Sequence, residues 1–325
     1  MKLTTSMRAF GVLIAAGLLA ATTAEASVSK AERQAAWRAA IAGTPLPGAG
    51  CFHASYPLTT WRKVACETAP ARPYVPASGT GHGAQTTGDG HDYAGVTTAL
   101  TSMAVGTFPK AKHLVSETDG GANVYSLQIN SNFMSGNAAC QTANDPSKCL
   151  DWEQFVYSSS SQQAFMQYWL IHYTGGTVHC PSGWFSFSDD CYRNSASVHV
   201  PKQVITELPN ITLSGSAVHG GVDTLQMTTS TDSYSTTGPW NVVYLADSWH
   251  ESEWNVIGDG GGSQAKFNAG TKLTVRLDLT DGTTKKPVCA ADHGTTGETN
   301  NLNLGKCKAK GGASPHIQFV EKLPK

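Results

Sequence analysis

Alternating hydrophobic and polar residues mark several half-buried strands along the chain. The clearest case is 271–279, where Leu273, Val275, Leu277 and Leu279 alternate with polar residues. Many short strands with no helical period between them predict an all-β protein, folded as a two-sheet antiparallel β-sandwich. The strands are predicted at 124–133, 154–157, 165–173, 211–214, 224–228, 241–245, 252–256, 271–279 and 316–320.

Helical signals are found at two places. Ser29 and Glu32 have the spacing of a capping box, and the alanine-rich run that follows is stopped by Gly43. A short helix is therefore predicted near the N-terminus. The stretch 158–173 is long enough for a buried helix, but its aromatic residues and its alternation favour a strand.

Two of the predicted strands carry uncharged polar and acidic side chains on one face. In an extended chain, Glu251, Glu253 and Asn255 share a face, while Trp254 and Val256 point to the other. The stretch 126–133 repeats this arrangement. Its polar face is expected to carry Ser126, Gln128, Asn130 and Asn132, with Leu127, Ile129 and Phe133 opposite.

The N-terminus has the features of a secretory signal peptide. Lys2 and Arg8 flank the start of a short apolar run that ends near Ala24-Glu25-Ala26. We expect cleavage before Ser27, so that residues 1–26 are the signal peptide and the product is secreted, extracellular or periplasmic. A retained membrane anchor is the alternative, and the shortness of the run argues against it.

Eight cysteines lie in near-neighbour pairs, which in an exported chain predicts four local disulfides. A zinc site is the alternative, but the chain has no CxxC pair and no recognised ligand spacing. We therefore expect no metal. The predicted pairs are Cys51 with Cys66, Cys140 with Cys149, Cys180 with Cys191, and Cys289 with Cys307.

Composition divides the mature chain into two parts. Residues 27–89 contain the helix, a proline-rich coil and, at 79–90, a stretch with the composition of a flexible linker. This small helix-plus-coil segment is predicted to be either a propeptide or lid over a cleft, or an N-terminal decoration. Residues 90–325 are the predicted sandwich domain.

Charge excludes one class of partner. Charged residues make up 14% of the 325 residues, the formal net charge is -1, and no basic run stands out. Nucleic acid is therefore not an expected partner. We also expect no membrane association of the mature protein, no cofactor, and a monomer.

Two blocks of the sequence resemble a known enzyme family. SLQINSNF, followed by WEQFVYSS and AFMQYWLIHY, is similar to the glutamine-bearing strand and the aromatic strand of the eqolisin-type glutamic peptidases. ESEWNVIGDGGGSQAKFNAGTKLTV is similar to the glutamate-bearing strand and loop of that family, which usually has a carboxylate at the position of Ile257. The blocks cover about a quarter of the chain, in the order that the family has.

The resemblance implies a sandwich of lectin-like (concanavalin-A-like) shape, made as a secreted zymogen that hydrolyses peptide bonds at acidic pH. The family's catalytic Gln and Glu fall on Gln128 and Glu253. Glu253 would take a proton from the attacking water and return it to the leaving amine, a role that contributes roughly 10²–10⁴-fold. Gln128 would donate its amide N–H to the developing oxyanion. The partners would be a polypeptide substrate and the protein's own N-terminal segment as an inhibitor.

Further residues are candidates for the same site. Trp169 shares a face with Gln167 and is the preferred aromatic wall of a cleft, and Asn130 and Asn255 are candidate substrate-binding residues. Glu251 or Asp247 could pair with Glu253 and raise its pKa. The glycine-rich loop 258–262 lacks the lysine and the following helix of a P-loop, so a hairpin connection is predicted there.

Three other interpretations stay open at this point. Gln128 and Glu253 could be solvated polar residues on a sheet, as such residues usually are. The polar, aromatic face could belong to a non-catalytic carbohydrate-binding module. The chain could also be a disulfide-rich structural or toxin-like protein without a small ligand.

Overall fold

The computed structural model describes residues 29–78 and 86–325. The predicted signal peptide at 1–26 and residues 79–85 of the predicted linker lie outside the described residues. The predicted N-terminal helix is α1, Lys30–Ala42. Ser29 and Glu32 form the expected capping box, with Ser29 N donating to Glu32 Oε2 at 2.7 Å and Glu32 N donating to Ser29 Oγ at 3.2 Å.

Strands make up most of the regular structure. In chain order they are β1 Cys51–Ser55, β2 Arg62–Val64, β3 Glu67–Thr68, β4 Thr86–Gly88, β5 Ala94–Val96, β6 Met103–Lys112, β7 Glu117–Thr118, β8 Ser126–Ser131, β9 Leu150–Ser158, β10 Gln163–Ile171, β11 Phe185–Phe187 and β12 Asp190–Asn194. They continue as β13 Ala196–His199, β14 Thr212–Ser216, β15 Val222–Thr228, β16 Asp232–Pro239, β17 Glu251–Ile257, β18 Gln264–Phe267, β19 Lys272–Thr280, β20 Val288–Ala290, β21 Thr299–Leu304, β22 Lys308–Lys310 and β23 His316–Lys322. Short 3₁₀ turns lie at Ala138–Cys140, Ile205–Asn210 and Leu245–Asp247.

The described strands form two large sheets, so the predicted two-sheet β-sandwich is confirmed. The thirteen-stranded sheet has the order β2-β1-β16-β15-β14-β6-β19-β23-β21-β18-β7, with β4 beside β21 and β22 beside β23. The ten-stranded sheet has the order β11-β12-β10-β9-β8-β17-β5-β20, with β13 joining β10 and β3. Strand pairing is antiparallel apart from the β18–β21 pair.

The main apolar core lies between the sheets. The predicted alternation of β19 is confirmed, because its four hydrophobic residues at 273–279 are all buried in this core. Trp254 also points into the core and lies directly over Gly106, where a Cβ atom would come within 2.1 Å of the indole ring. A glycine in β6 is therefore required for the close packing of β17 on the opposite sheet.

Strands β6, β12, β13 and β21 lie outside the predicted ranges, and the structure differs from the predictions in four further places. The stretch 241–245 is not a strand but a turn leading into the 3₁₀ turn Leu245–Asp247, and the strand of this region is β16, whose serine- and threonine-rich sequence gives no hydrophobic signal. The loop 258–262 is not a hairpin connection, because β17 and β18 belong to different sheets.

The other two differences concern the N-terminal part. It is more than a helix with coil, since β1 and β2 extend the thirteen-stranded sheet and β3 pairs with β13. The end of the predicted linker is strand β4, which pairs with β21. Both segments are held by backbone pairing that composition does not reveal.

All four predicted disulfides are present, and no free cysteine occurs among the described residues. Four disulfides are typical of proteins in an oxidising, extracellular-type environment. In the described part of the chain, no helix is long and apolar enough to cross a membrane.

Candidate active site

The pairing of β8 with β17 brings Gln128 and Glu253 to the same face of the ten-stranded sheet. Asn255 lies opposite Gln128, and Glu253 lies opposite Asn130 in the antiparallel register. Opposite residues in such a pair point to the same side. The four residues therefore share one surface, which we call the polar face, on the side of the sheet away from the main core.

The polar face is closed rather than open. Gln128 is 0% exposed and Glu253 is 1% exposed. Glu253 Oε2 accepts from the backbone N–H groups of Thr295 at 2.7 Å and Thr296 at 3.3 Å, and Thr296 Oγ1 donates to Gln128 Oε1 at 3.2 Å. Glu253 therefore points away from the main core, as the alternation predicts, but residues 292–297 cover it and it is not solvated.

Asn130 and Asn255 bind the carboxyl groups of the polar face. Asn130 Nδ2 donates to Glu253 Oε2 at 3.3 Å. Asn255 Nδ2 donates to Asp92 Oδ1 at 3.1 Å and to Glu321 Oε2 at 3.3 Å. Both side-chain amides thus orient buried acids on the polar face. The substrate-binding role of Asn130 and Asn255 stays a prediction.

Asp92 is the acidic neighbour of Glu253 that the sequence analysis missed. Among the described residues, no hydrogen-bond donor from a third residue reaches Asp92 Oδ2 or Glu253 Oε1. Gly294 packs closely over both acids, since a Cβ atom there would lie 3.3 Å from Glu253 Oε1 and 3.1 Å from Asp92 Cβ. Burial, and next the charge of Glu253 with a hydrogen bond to it, raise the pKa of Asp92 well above its ordinary value. A protonated Asp92 beside Glu253 avoids two adjacent buried charges.

The acids that were expected to pair with Glu253 have other partners. Glu251 accepts from His293 Nδ1 at 3.2 Å, and burial raises its pKa. Asp247 accepts from His219 Nδ1 at 2.6 Å. Asp92 precedes β5, which lies between β17 and β20, and no local sequence pattern around Asp92 predicts that it lies next to Glu253.

Glu298 is a second acid that sequence reasoning missed. Its Oε1 accepts from Val75 N at 2.9 Å, and its Oε2 accepts from Thr296 Oγ1 at 2.6 Å and from Gln128 Nε2 at 3.4 Å. Burial raises the pKa of Glu298 to about 7. This carboxyl group links Gln128 to the N-terminal part of the chain.

An extended piece of that N-terminal part lies across the polar face, and we call residues 70–77 the crossing segment. Side chains of the sheet bind its main chain: Asn194 Nδ2 donates to Pro70 O at 2.8 Å, and Gln167 Nε2 donates to Arg72 O at 2.9 Å. Gln167 Oε1 also accepts from Tyr74 N at 2.7 Å.

The far end of the crossing segment pairs with the residues that cover Glu253. Gly297 N donates to Val75 O at 2.7 Å, and Ala77 N donates to Thr295 O at 2.8 Å. A Cβ atom at Gly297 would lie 2.8 Å from Val75 Cγ2, so only glycine allows this approach. The crossing segment and residues 295–297 therefore lie side by side, paired like two antiparallel strands, and together they cover the polar face.

Trp169 is part of an aromatic cluster under the crossing segment. Its ring is 0% exposed, lies 5.2 Å from that of Tyr192, and donates from Nε1 to Gln167 Oε1 at 3.0 Å. Trp152 and Val75 pack in the same cluster. Trp169 is on the predicted face, but here it contacts the chain itself rather than an open cleft.

One surface group among the described residues has the composition of a metal site. Candidate ligand atoms of His172, Asp189 and Asp190 lie within 4.8 Å of one another. His172 Nδ1 is already hydrogen-bonded to Asp189 Oδ2 at 3.0 Å, and His172 N donates to Asp190 Oδ1 at 2.7 Å. These bonds satisfy the three residues without an ion.

Comparison with protein-family models, with curated proteins and with solved structures found no match to this chain.

Proposed function

We propose that the protein is the secreted precursor of an acid endopeptidase, with Gln128 and Glu253 as its catalytic residues and residues 27–89 as an inhibitory propeptide. The observation that carries this proposal is the crossing segment. A stretch of extended polypeptide lies over the polar face, with its backbone bound by Gln167, Asn194 and Glu298. A face that binds peptide backbone in this way suits a polypeptide better than a carbohydrate.

The chemistry follows from the groups on the polar face. Glu253 would act as general base toward water and then as general acid toward the leaving amine. Gln128 would donate its amide N–H to the oxyanion, a contribution of about 10²–10³-fold in rate. Asn130, hydrogen-bonded to Glu253, would orient the carboxylate.

The covered site implies that activity requires a rearrangement. Substrate can reach Glu253 only after the crossing segment leaves and residues 292–297 move away. No described disulfide joins the two parts of the chain, because Cys51–Cys66 lies within the N-terminal part and the other three lie within 86–325. A cut between the two parts would therefore leave the crossing segment held only by noncovalent contacts.

The charge of Glu298 sets how the covered form responds to pH. Burial raises the pKa of this carboxyl group to about 7, although the hydrogen bond from Val75 N favours its charged form. The covered form therefore binds this proton more tightly than a solvated carboxyl group would, and the contribution of Glu298 to the covered form is lost as the pH rises through about 7. Release at acidic pH depends on the cut between the two parts rather than on Glu298.

The test is cleavage of a denatured protein substrate by the purified full-length protein at acidic pH. We expect activity to appear after acid incubation, to fall by about 10²-fold or more in Glu253→Gln, and to fall by about 10²–10³-fold in Gln128→Ala. Asp145→Asn, an exposed carboxylate that pairs with Lys148 in the part after residue 89, is the matched control and should keep full activity. Equal cleavage by all four proteins, or none by any, would remove the proposal.

A further inference from the structure

Arg72 of the crossing segment occupies an acidic subsite. Its Nη1 donates to Asp259 O at 2.8 Å and to Ser160 Oγ at 3.0 Å, and lies 3.5 Å from Asp259 Oδ2. The Asp259 side chain is 1% exposed, whereas that of Arg72 is 46% exposed. A cavity of about 320 Å³ continues beside the guanidinium and is also lined by Asp119. The acidic group of this subsite is thus buried in the protein, whereas the space around the guanidinium is open to solvent.

Tyr74 fills a closed subsite that has both apolar and polar requirements. Its ring is fully buried against Val156 and Phe165, with 5.9 Å between the centroids of the Tyr74 and Phe165 rings. Its hydroxyl donates to Asp259 Oδ1 at 2.8 Å. A phenylalanine in this place would leave that oxygen without its donor, and an aliphatic residue would leave a cavity.

Val75 contacts a third subsite, formed by the aromatic cluster that contains Trp152 and Trp169. Its backbone is fixed on both sides, by Glu298 through the N–H and by Gly297 through the carbonyl. The side chain is therefore held against the aromatic cluster, and the subsite suits an aliphatic residue of this size.

Removal of the crossing segment would leave these subsites with unpaired polar groups. Asp259 would lose the guanidinium of Arg72 and the hydroxyl of Tyr74, and would keep Ser160 N as a donor to its Oδ2. Gln167 would lose two backbone partners. Buried groups that have lost their partners favour a ligand that restores the same bonds.

We propose that the emptied polar face selects polypeptides with a basic residue, any residue, a tyrosine and an aliphatic residue in succession, the pattern of Arg72-Pro73-Tyr74-Val75. Only the use of this specificity in catalysis rests on the proposed function. The recognition itself follows from the three subsites and can be measured without cleavage. The prolines at 70, 73 and 76 restrict the backbone of the crossing segment, which lowers the entropy cost of its binding.

The first experiment measures binding of a free peptide. The probe is a fluorescein-labelled nonapeptide with the sequence of residues 69–77, and the protein is the full chain with Arg72→Ala and Tyr74→Ala, which lacks both anchors of its own segment. Fluorescence anisotropy should show binding at least tenfold tighter than to the wild-type chain, where the attached segment competes at an effective concentration on the order of millimolar.

Variants of the probe peptide test the three subsites. Replacing its arginine by alanine, or its tyrosine by phenylalanine, should weaken binding about tenfold. Adding Asp259→Asn to the protein should reduce both preferences, and the arginine keeps its bonds to the carbonyl of residue 259 and to Ser160. Equal affinity for all the peptides, or no binding to a double variant that retains cooperative unfolding, would overturn the proposal.

A second measurement covers the case in which the double variant does not fold. Hydrogen exchange of the Tyr74 and Val75 amides is followed in full-length wild type and in Asp259→Asn. We expect exchange at least tenfold faster in the variant, and no change in Asp247→Asn, whose carboxylate pairs with His219. Unchanged exchange in Asp259→Asn would refute the acidic subsite. Because neither readout requires catalysis, an inactive protein that shows these effects would disprove the peptidase and leave the recognition standing.

Discussion

Glu321 provides a direct test of how burial controls the stability of this protein. The side chain is fully buried at the end of β23, where its Oε2 accepts from Thr87 Oγ1 at 2.7 Å and from Asn255 Nδ2 at 3.3 Å. Its Oε1 has no hydrogen-bond partner, and no basic side chain forms an ion pair with it in the described part of the chain. Burial raises the pKa of Glu321 from 4.5 to about 7.

The sign and size of the effect follow from this pKa. The folded protein binds the proton more tightly than the unfolded chain, so the contribution to stability is fully present below pH 4.5 and is lost as the pH rises through about 7. Each pKa unit corresponds to about 1.4 kcal/mol, so the contribution is on the order of 3 kcal/mol. Glutamine has the same shape but cannot ionise, and it should remove this dependence.

The assay is guanidinium unfolding of wild type and Glu321→Gln at several pH values. The difference between their free energies of unfolding should change by about 3 kcal/mol between pH 4.5 and pH 8, in favour of the variant at the higher pH. Glu67→Gln, on an exposed strand, is the control and should change far less. Parallel curves for Glu321→Gln and wild type would refute the reasoning.

Two further predictions concern the covered site. Gly297→Ala places a methyl group against Val75 and should make chymotrypsin cleavage after Tyr74 at least tenfold faster, as followed by mass spectrometry. Gly43→Ala is the control and should leave the cleavage rate unchanged, because its Cβ would have no neighbour closer than 3.8 Å. Equal cleavage rates in both variants would contradict the close approach of Gly297 to Val75. Asp92→Asn keeps a hydrogen-bond donor beside Glu253 but removes a titrating group. One ionisation step should therefore disappear from the pH profile of kcat/KM, while kcat should change by less than about tenfold. An unaltered pH profile would show that the two carboxyl groups do not share a proton.

Local patterns predicted much of the fold. The alternation in β8, β17 and β19 correctly assigned which residues of these strands point into the core. Phe133 was placed wrongly, because it follows the end of β8 and packs against Trp152 in the aromatic cluster. The capping box correctly located the start of α1, and the spacing of the cysteines correctly predicted their pairing. Each of these features depends on residues close together in the chain, where backbone geometry and short loop closure decide the outcome. β16 was missed because its burial comes from its neighbours in the sheet rather than from its own hydrophobicity.

The sequence predicted the two strands of the candidate site but not the segments that pack on them. A two-residue period places Gln128 on the polar side of β8 and Glu253 on the polar side of β17, but it does not say which segment packs on that side. Asp92 and Glu298 reach the site through the sheet order β8-β17-β5 and through the loop before β21. Neither has a sequence pattern that marks it.

The sequence by itself determined the strands that have a clear hydrophobic alternation, such as β8, β17 and β19, the disulfide pairs, and the presence of a Gln and a Glu on polar strand positions. Only the tertiary structure decided that those two side chains share one face, that residues 292–297 close over them, and that the crossing segment pairs with this cover. The physical reason is that the direction of a side chain is set by the backbone of its own strand, whereas its environment is set by chain segments that are distant in sequence and are brought together only when the whole sandwich closes.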